Sequence, residues 1–306
     1  MFRITVDVFS GRNNPTWIVD NEENGRELLG QIRKNFEIVS SLDSGFQGLG
    51  YRGITFELFS DEDSTDYELP VTFSITNGAG KDHKKGCEIA EQVIKGMTRY
   101  KTITLPEHAV TPIDEKIQKF LFEELRRFES NPPKIFPVPE FSPHGRRVTV
   151  HDENCKVCQY EESLFNPAFW NNDPSVRGSN NCYNYARNWR TNTFAQPGRA
   201  SGCYPNPMAC SNIASAAVCD GLRKRCECLP DEEYPRRLMA LVVGPGLDYH
   251  WYRKQKDGFW GHKPGGTAAK NIDNSGIVIT DPQSCDRGWY TDFCGFFYAG
   301  KNVRII

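Results

Sequence analysis

Nothing in this 306-residue chain is apolar for long enough to cross a bilayer: no run approaches the ~20 residues that a membrane helix needs. Strong net charge is missing as well. The 37 Lys and Arg against 39 Asp and Glu leave −2 and a pI near 6.3, which gives no general attraction to nucleic acid or to an anionic membrane, and neither partner is expected. Residues 1–9 alternate as a strand does and lack a basic stretch followed by an apolar one, so no signal peptide is expected. Retention, export by another route and an already trimmed form stay open. There are no internal repeats. Cysteine is nearly absent from the first half, which holds only Cys87.

The second half holds the other ten cysteines: Cys155, Cys158, Cys182, Cys203, Cys210, Cys219, Cys226, Cys228, Cys285 and Cys294. Such crowding points to disulfides in an oxidising compartment or to a metal site. Cys155-x-x-Cys158 has zinc spacing, but Cys226-x-Cys228 has one residue between its thiols and no histidine sits close to either pair. Disulfides or plain buried thiols are therefore favoured, and no metal or cofactor is expected. With Cys182 set aside, nine cysteines remain in this half, so pairing within it is incomplete: one more thiol is free, or Cys87 pairs across domains. Cys210 and Cys219 lie nine apart, on different flanks of a helix predicted over 210–222, and are not expected to bridge each other.

The pattern predicts an α+β protein of two domains, residues 1–130 and 151–306, joined over 131–150 by a proline-rich stretch that is stiff and extended. In the first domain strands are expected over 3–9, 17–19, 53–59 and 71–76, and helices over 23–39, 87–97 and 111–128. The last helix carries Pro112 in its first turn and Ile117, Phe120, Leu121 and Leu125 on one face. The loops 10–14 and 48–53 are glycine-rich beside arginines, a composition that suits an anion pocket. No catalytic constellation is visible here, so a binding or positioning role is the default.

Chemistry concentrates in the second domain. Ser179, Asn180 and Asn181 supply helix-capping side chains just before Cys182, and 182–189 contains no Gly or Pro. A cysteine in the first turn of a helix feels the positive end of the dipole, which lowers a thiol pKa from about 8.5 by a unit or more. Downstream, 238–243 reads as a buried strand. Then 248–253 and 259–262 read as a hairpin about Asp257-Gly258, which places His250 and His262 on neighbouring strands facing one pocket. Further strands are expected over 276–282 and 293–298. Cys182 is then the nucleophile, His250 the base and His262 the orienting residue, with Asn274 or Asp281 as alternatives for that third role. Oxyanion donors are expected from the Cys182 amide and from Asn180, Asn181 or Tyr183. Arg199, Trp251 and Trp260 are candidate substrate contacts.

The order of a helix-start cysteine, a strand histidine and a second histidine twelve residues later resembles the NlpC/P60 group of papain-like cysteine peptidases and amidases, over roughly residues 179–281. That resemblance implies a papain-like fold, with the cysteine helix packed on an antiparallel sheet, and a peptide or amide substrate such as a cell-wall peptide. The flanks Asn181 and Tyr183 depart from that group, which usually has an acidic residue and a Ser-Gly there. The rival expectation is a secreted, cysteine-rich binding or toxin-like protein without catalysis, in which Cys182 is bridged and the aromatic residues form a binding face.

Overall fold

The computed structural model describes residues 1–19, 23–59, 61–97, 114–137, 147–150 and 158–306. Pro112, Cys155 and residues 138–146 of the linker stretch lie outside them. The protein is α+β, and its chain divides into two compact units. One comprises Met1–Val8 and Asn13–Phe136; the other comprises Phe9–Arg12 and Pro137–Ile306. Residues 9–12, which sequence reasoning placed wholly in the first domain, pack with the second.

In the first unit β1 (Phe2–Val6), β2 (Thr16–Val19), β3 (Ile54–Leu58) and β4 (Thr72–Ile75) form an antiparallel sheet in the order β2-β1-β3-β4. Alternation explains the sheet: Phe2, Ile4 and Val6 pair in register with Leu58, Phe56 and Ile54, and all six are buried. The helices are α1 (Glu23–Lys34), α2 (Asp61–Tyr67), α3 (His83–Gly96) and α4 (Glu115–Ser130). Helix α1 stops short of the expected residue 39, giving way at Asn35 to a 3-10 turn over Phe36–Ile38. Asp82 and Asp114 cap α3 and α4 by accepting from Lys85 N at 2.9 Å and Ile117 N at 2.8 Å. Arg52, in the second glycine-rich loop, is buried and gives its guanidinium to the carbonyls of Gly48 and Gly50, the latter at 3.0 Å.

The second unit opens with the hairpin β5 (Arg147–Val150) and β6 (Cys158–Glu161), then the short helices α5 (Ala168–Asn171), α6 (Pro174–Ser179), α7 (Cys182–Arg187) and α8 (Cys210–Cys219). Its main sheet is antiparallel, in the order β10-β9-β8-β11-β7: β7 (Arg223–Lys224), β8 (Arg237–Gly244), β9 (Asp248–Lys254), β10 (Trp260–His262) and β11 (Asp292–Ala299). Cys182, Tyr183 and Ala186 of α7 and Ile213, Ala214 and Ala217 of α8 bury against Met239, Leu241 and Val243 of β8 and Tyr249 and Trp251 of β9. These residues alternate along both strands, so one sheet face carries the core.

Helix α7 ends at Arg187, two residues short of expectation, because Asn188 turns into the left-handed region at φ 59°. The strand expected over 276–282 is not formed. Asp273 instead accepts from Ser275 N at 3.0 Å and Ile277 N at 2.9 Å, which curls the chain into a turn and leaves a single bridge, Ile272 to Val278.

Disulfides join Cys158 to Cys228, Cys203 to Cys219 and Cys210 to Cys294, and Cys226 is also oxidised. Cys210 and Cys219 do not bridge each other; they pin the two ends of α8, one to β11 and the other to the loop before the helix. With Cys158 in a disulfide, the Cys155/Cys158 zinc reading fails, because an oxidised sulfur has no thiolate to offer a metal. Among the described residues Cys87, Cys182 and Cys285 are unbridged.

Candidate functional site

The start of α7 is built by two asparagines. Asn181 Oδ1 accepts from Tyr183 N at 3.1 Å and Asn184 N at 3.2 Å, while Asn184 Oδ1 accepts from Asn181 N at 3.0 Å, a reciprocal capping box. Cys182 is therefore the first residue of the helix, as its flanks predicted.

On the sheet, Val242 pairs with His250 and Tyr252 pairs with His262, so the two histidines stand diagonally on adjacent strands. Their rings meet, with His250 Nε2 2.9 Å from His262 Nδ1. His262 Nε2 lies 2.9 Å from the Ile272 carbonyl, which can only accept. His262 therefore carries its proton on Nε2 and accepts at Nδ1, and His250 donates from Nε2, so in the neutral His250 ring Nδ1 is the accepting nitrogen. Burial and the nearby Lys270 ammonium push His262 down to about 3, against the pull of the Ile272 bond, so it is neutral at ordinary pH.

What meets that nitrogen is Ser10, whose Oγ lies 2.5 Å from His250 Nδ1. Ser10 Oγ in turn accepts from Gly265 N at 3.2 Å and hydrogen-bonds the Cys182 thiol. The chain of contacts runs from Cys182 through Ser10, His250 and His262 to the Ile272 carbonyl. Ser10 thus occupies the position on the imidazole where sequence reasoning put the thiol.

Ser10 is held there by the buried carboxylate of Asp248 at the head of β9. Asp248 accepts from the successive amides of Ser10 at 2.5 Å, Gly11 at 3.0 Å and Arg12 at 2.9 Å, and from the Tyr290 hydroxyl at 2.7 Å. Three consecutive amides closing on one anion form a nest, so the loop does bind an anion, and that anion is internal. Burial raises the Asp248 carboxyl, opposed by the bonds from Ser10, Tyr290, Arg12 and Gly11. The Gly11 carbonyl accepts from Asn181 Nδ2 at 2.7 Å and Gln196 Nε2 at 2.8 Å, and the Tyr249 hydroxyl sits 3.1 Å from it. Only glycine fits at position 11, because a Cβ there would stand 2.5 Å from the Tyr249 carbonyl oxygen. Neither Ser10 nor Asp248 was anticipated; the glycine-rich loop was the one visible signal.

The thiol itself departs from expectation. Cys182 is wholly buried and its pKa is pushed up to about 12, first by burial and then by the charge of Asp248. Bonds from the Trp251 backbone and Ser10, and the Lys263 ammonium, only partly offset this. A six-residue helix dipole does not outweigh complete desolvation.

The remaining candidates are committed elsewhere. Both Asn181 Nδ2 protons go to the Gly11 and Ala195 carbonyls, both at 2.7 Å. Asn180 Nδ2 gives its two to Val176 O and Asn192 Oδ1, also at 2.7 Å. The Tyr183 hydroxyl donates to Asp220 at 3.0 Å. Trp251 is buried in the core, and Trp260 stacks on Phe296 at 5.5 Å. Arg199 reaches the Thr193 carbonyl at 3.5 Å. Asn274 donates its backbone amide to the Asp286 carbonyl, and exposed Asp281 accepts from Gln283 N at 2.9 Å, whereas His262 is the ring that meets His250.

The molecule is thus a disulfide-tied α+β protein in which a closed relay of thiol, hydroxyl and two imidazoles lies beside a carboxylate-held loop. Over 150 residues it is 47% identical to Insoluble matrix shell protein 1 of Ruditapes philippinarum, a match that covers 49% of this chain and 97% of that protein, and the chain belongs to the same family. No family model and no solved structure matches it.

Proposed function

We propose that this protein is a disulfide-stabilised component of an insoluble extracellular matrix of the shell type, working by structure and binding with its thiol chemistry closed. The observation that carries this reading is the 47% identity to a shell matrix protein across nearly the whole of that relative. The oxidised cysteines of the second unit support it, since such bonds persist in oxidising compartments. So does the sealed Cys182, whose burial keeps the thiol protonated at neutral pH.

Fractionating the tissue that makes the protein tests this. After salt and detergent washes the chain should stay with the insoluble residue, and digestion without reductant should yield the Cys158–Cys228, Cys203–Cys219 and Cys210–Cys294 peptides. Recovery in the soluble cytosol with those cysteines reduced sinks the proposal.

A second reading, a cysteine hydrolase acting on a peptide or amide in the manner of NlpC/P60 proteins, draws its support from the histidine pair. A hydrolase needs an imidazole whose accepting nitrogen is fixed, and the Ile272 carbonyl fixes it. In the closed fold that nitrogen serves Ser10.

A further inference from the structure

Three features of the Ser10 loop go beyond what a merely structural loop requires. Its hydroxyl lies 2.5 Å from His250 Nδ1 and is also hydrogen-bonded to the Cys182 sulfur. Its backbone is fastened by a buried carboxylate, through three successive amides, with nothing covalent holding it. The capping residue of the cysteine helix, Asn181, grips the same loop through the Gly11 carbonyl at 2.7 Å. The loop is also a short excursion: the chain enters Phe9–Arg12 from the first unit and returns to the first unit at Asn13.

We propose that Phe9–Arg12 is an internal mask over a thiol–imidazole site, and that withdrawing Ser10 from between Cys182 and His250 converts the inert thiol into a reactive thiolate. The inference goes beyond the matrix role, which concerns the closed state. With the hydroxyl gone, the thiol and the imidazole that shared it are left without the group between them, and the His250 Nε2–H is already fixed on His262. The proton passes from Sγ to His250 Nδ1, leaving a thiolate paired with an imidazolium whose Nε2–H stays on His262. The ligand class is an electrophilic carbon able to enter where the mask lay, an acyl group or an alkylating reagent. With iodoacetamide a sulfur–carbon bond forms, the carbon–iodine bond breaks, iodide leaves and the imidazolium gives its proton to buffer.

Two substitutions withdraw the mask in different ways: Ser10→Ala removes the hydroxyl, and Asp248→Asn replaces the carboxylate that holds the loop. Each is made in the full oxidised chain, alone and together with His250→Ala. Iodoacetamide labelling of Cys182 is followed by mass spectrometry from pH 5 to 9, with a urea titration of every variant to keep unfolding apart from unmasking. In the starting protein labelling should be slow and rise with urea as the second unit unfolds. In Ser10→Ala it should be faster by roughly 100-fold at pH 7 under native conditions, with an inflection well below pH 9, and the gain should vanish when His250 is also replaced. Asp248→Asn should behave alike where it folds; where it does not, Ser10→Ala decides alone. Labelling of folded Ser10→Ala at the starting rate overturns the mask, as does a gain that survives loss of His250. Ser10→Ala that does not fold also overturns it, since the hydroxyl is then a structural necessity. The fractionation result of the matrix proposal is independent of all these outcomes.

Discussion

The two units reach stability by different means. The first is ordered by patterning: alternating apolar strands meet face to face in register, amphipathic helices are capped by aspartates, and residues 1–136 contain a single cysteine, buried and unbridged. The second encloses polar groups that are costly to bury, among them Asp248, His250, His262, Asn180, Asn181 and Lys263, and ties its short helices with disulfides. A buried polar network stabilises only when every member is satisfied, but then it fixes one arrangement in a way that an apolar core does not. The second unit therefore holds a defined chemical arrangement, and cross-links offset part of its cost.

Removing the cross-links should break this comparison most. Cys210 and Cys294 are 84 residues apart, and loop entropy for that length gives about 4–5 kcal/mol; the 16-residue Cys203–Cys219 closure gives about 3 kcal/mol. Reductant, or the Cys210→Ser and Cys294→Ser pair, should lower the urea midpoint of the second unit and leave that of the first where it was. Tryptophan fluorescence beside hydrogen exchange of β1 and β3 amides separates the two. Equal shifts in both would falsify the claim that the cross-links serve one unit.

Acid should act next, with the sign fixed by His262. Its unfolded pKa is 6.5 and its folded value about 3, so its contribution is fully present above pH 6.5 and is lost as pH falls towards 3. At about 1.4 kcal/mol per unit, the second unit should lose up to about 3 kcal/mol between pH 6.5 and 4.5 from this group alone. His262→Gln should flatten the pH dependence of the urea midpoint by nearly one proton over that range. An unchanged slope means that the ring is already charged or solvated in the fold.

The pairing of His250 with His262 was legible because a hairpin turns sequence spacing into spatial spacing. Asn181 was legible as a cap because capping is local. Both stop where the chain must return from far away. Ser10 and Asp248 meet across 238 residues, and no periodicity links a glycine-rich turn near one end to the first residue of a strand near the other. The turn did announce itself as an anion nest, yet nothing in the sequence said that the anion would be a side chain of the same molecule. The thiol pKa was misjudged for a related reason. The helix start is a local property and favours thiolate, whereas burial is global and here outweighs it.

The smallest effect sharpens the comparison most, because each unit holds one buried, unbridged thiol. Cys87, 4% exposed, is raised to about 12 by burial and then by Glu129; Cys182, at 0%, is raised to about 12 by burial and then by Asp248. If both are only packing groups, Cys87→Ala and Cys182→Ala should each cost about 1 kcal/mol, the worth of a small buried hydrophobe. The mask makes them unequal. A residue kept for reactivity sits in a site that is not optimised for stability, so its removal is neutral or stabilising. In Cys182→Ala, moreover, Ser10 retains His250 and Gly265 as partners, so its hydroxyl is not orphaned. Cys182→Ala should therefore leave the midpoint of the second unit unchanged or slightly raised, while Cys87→Ala lowers that of the first by about 1 kcal/mol. Equal losses in paired urea titrations would make Cys182 as ordinary a core residue as Cys87, and the serine above it a simple hydrogen-bond partner.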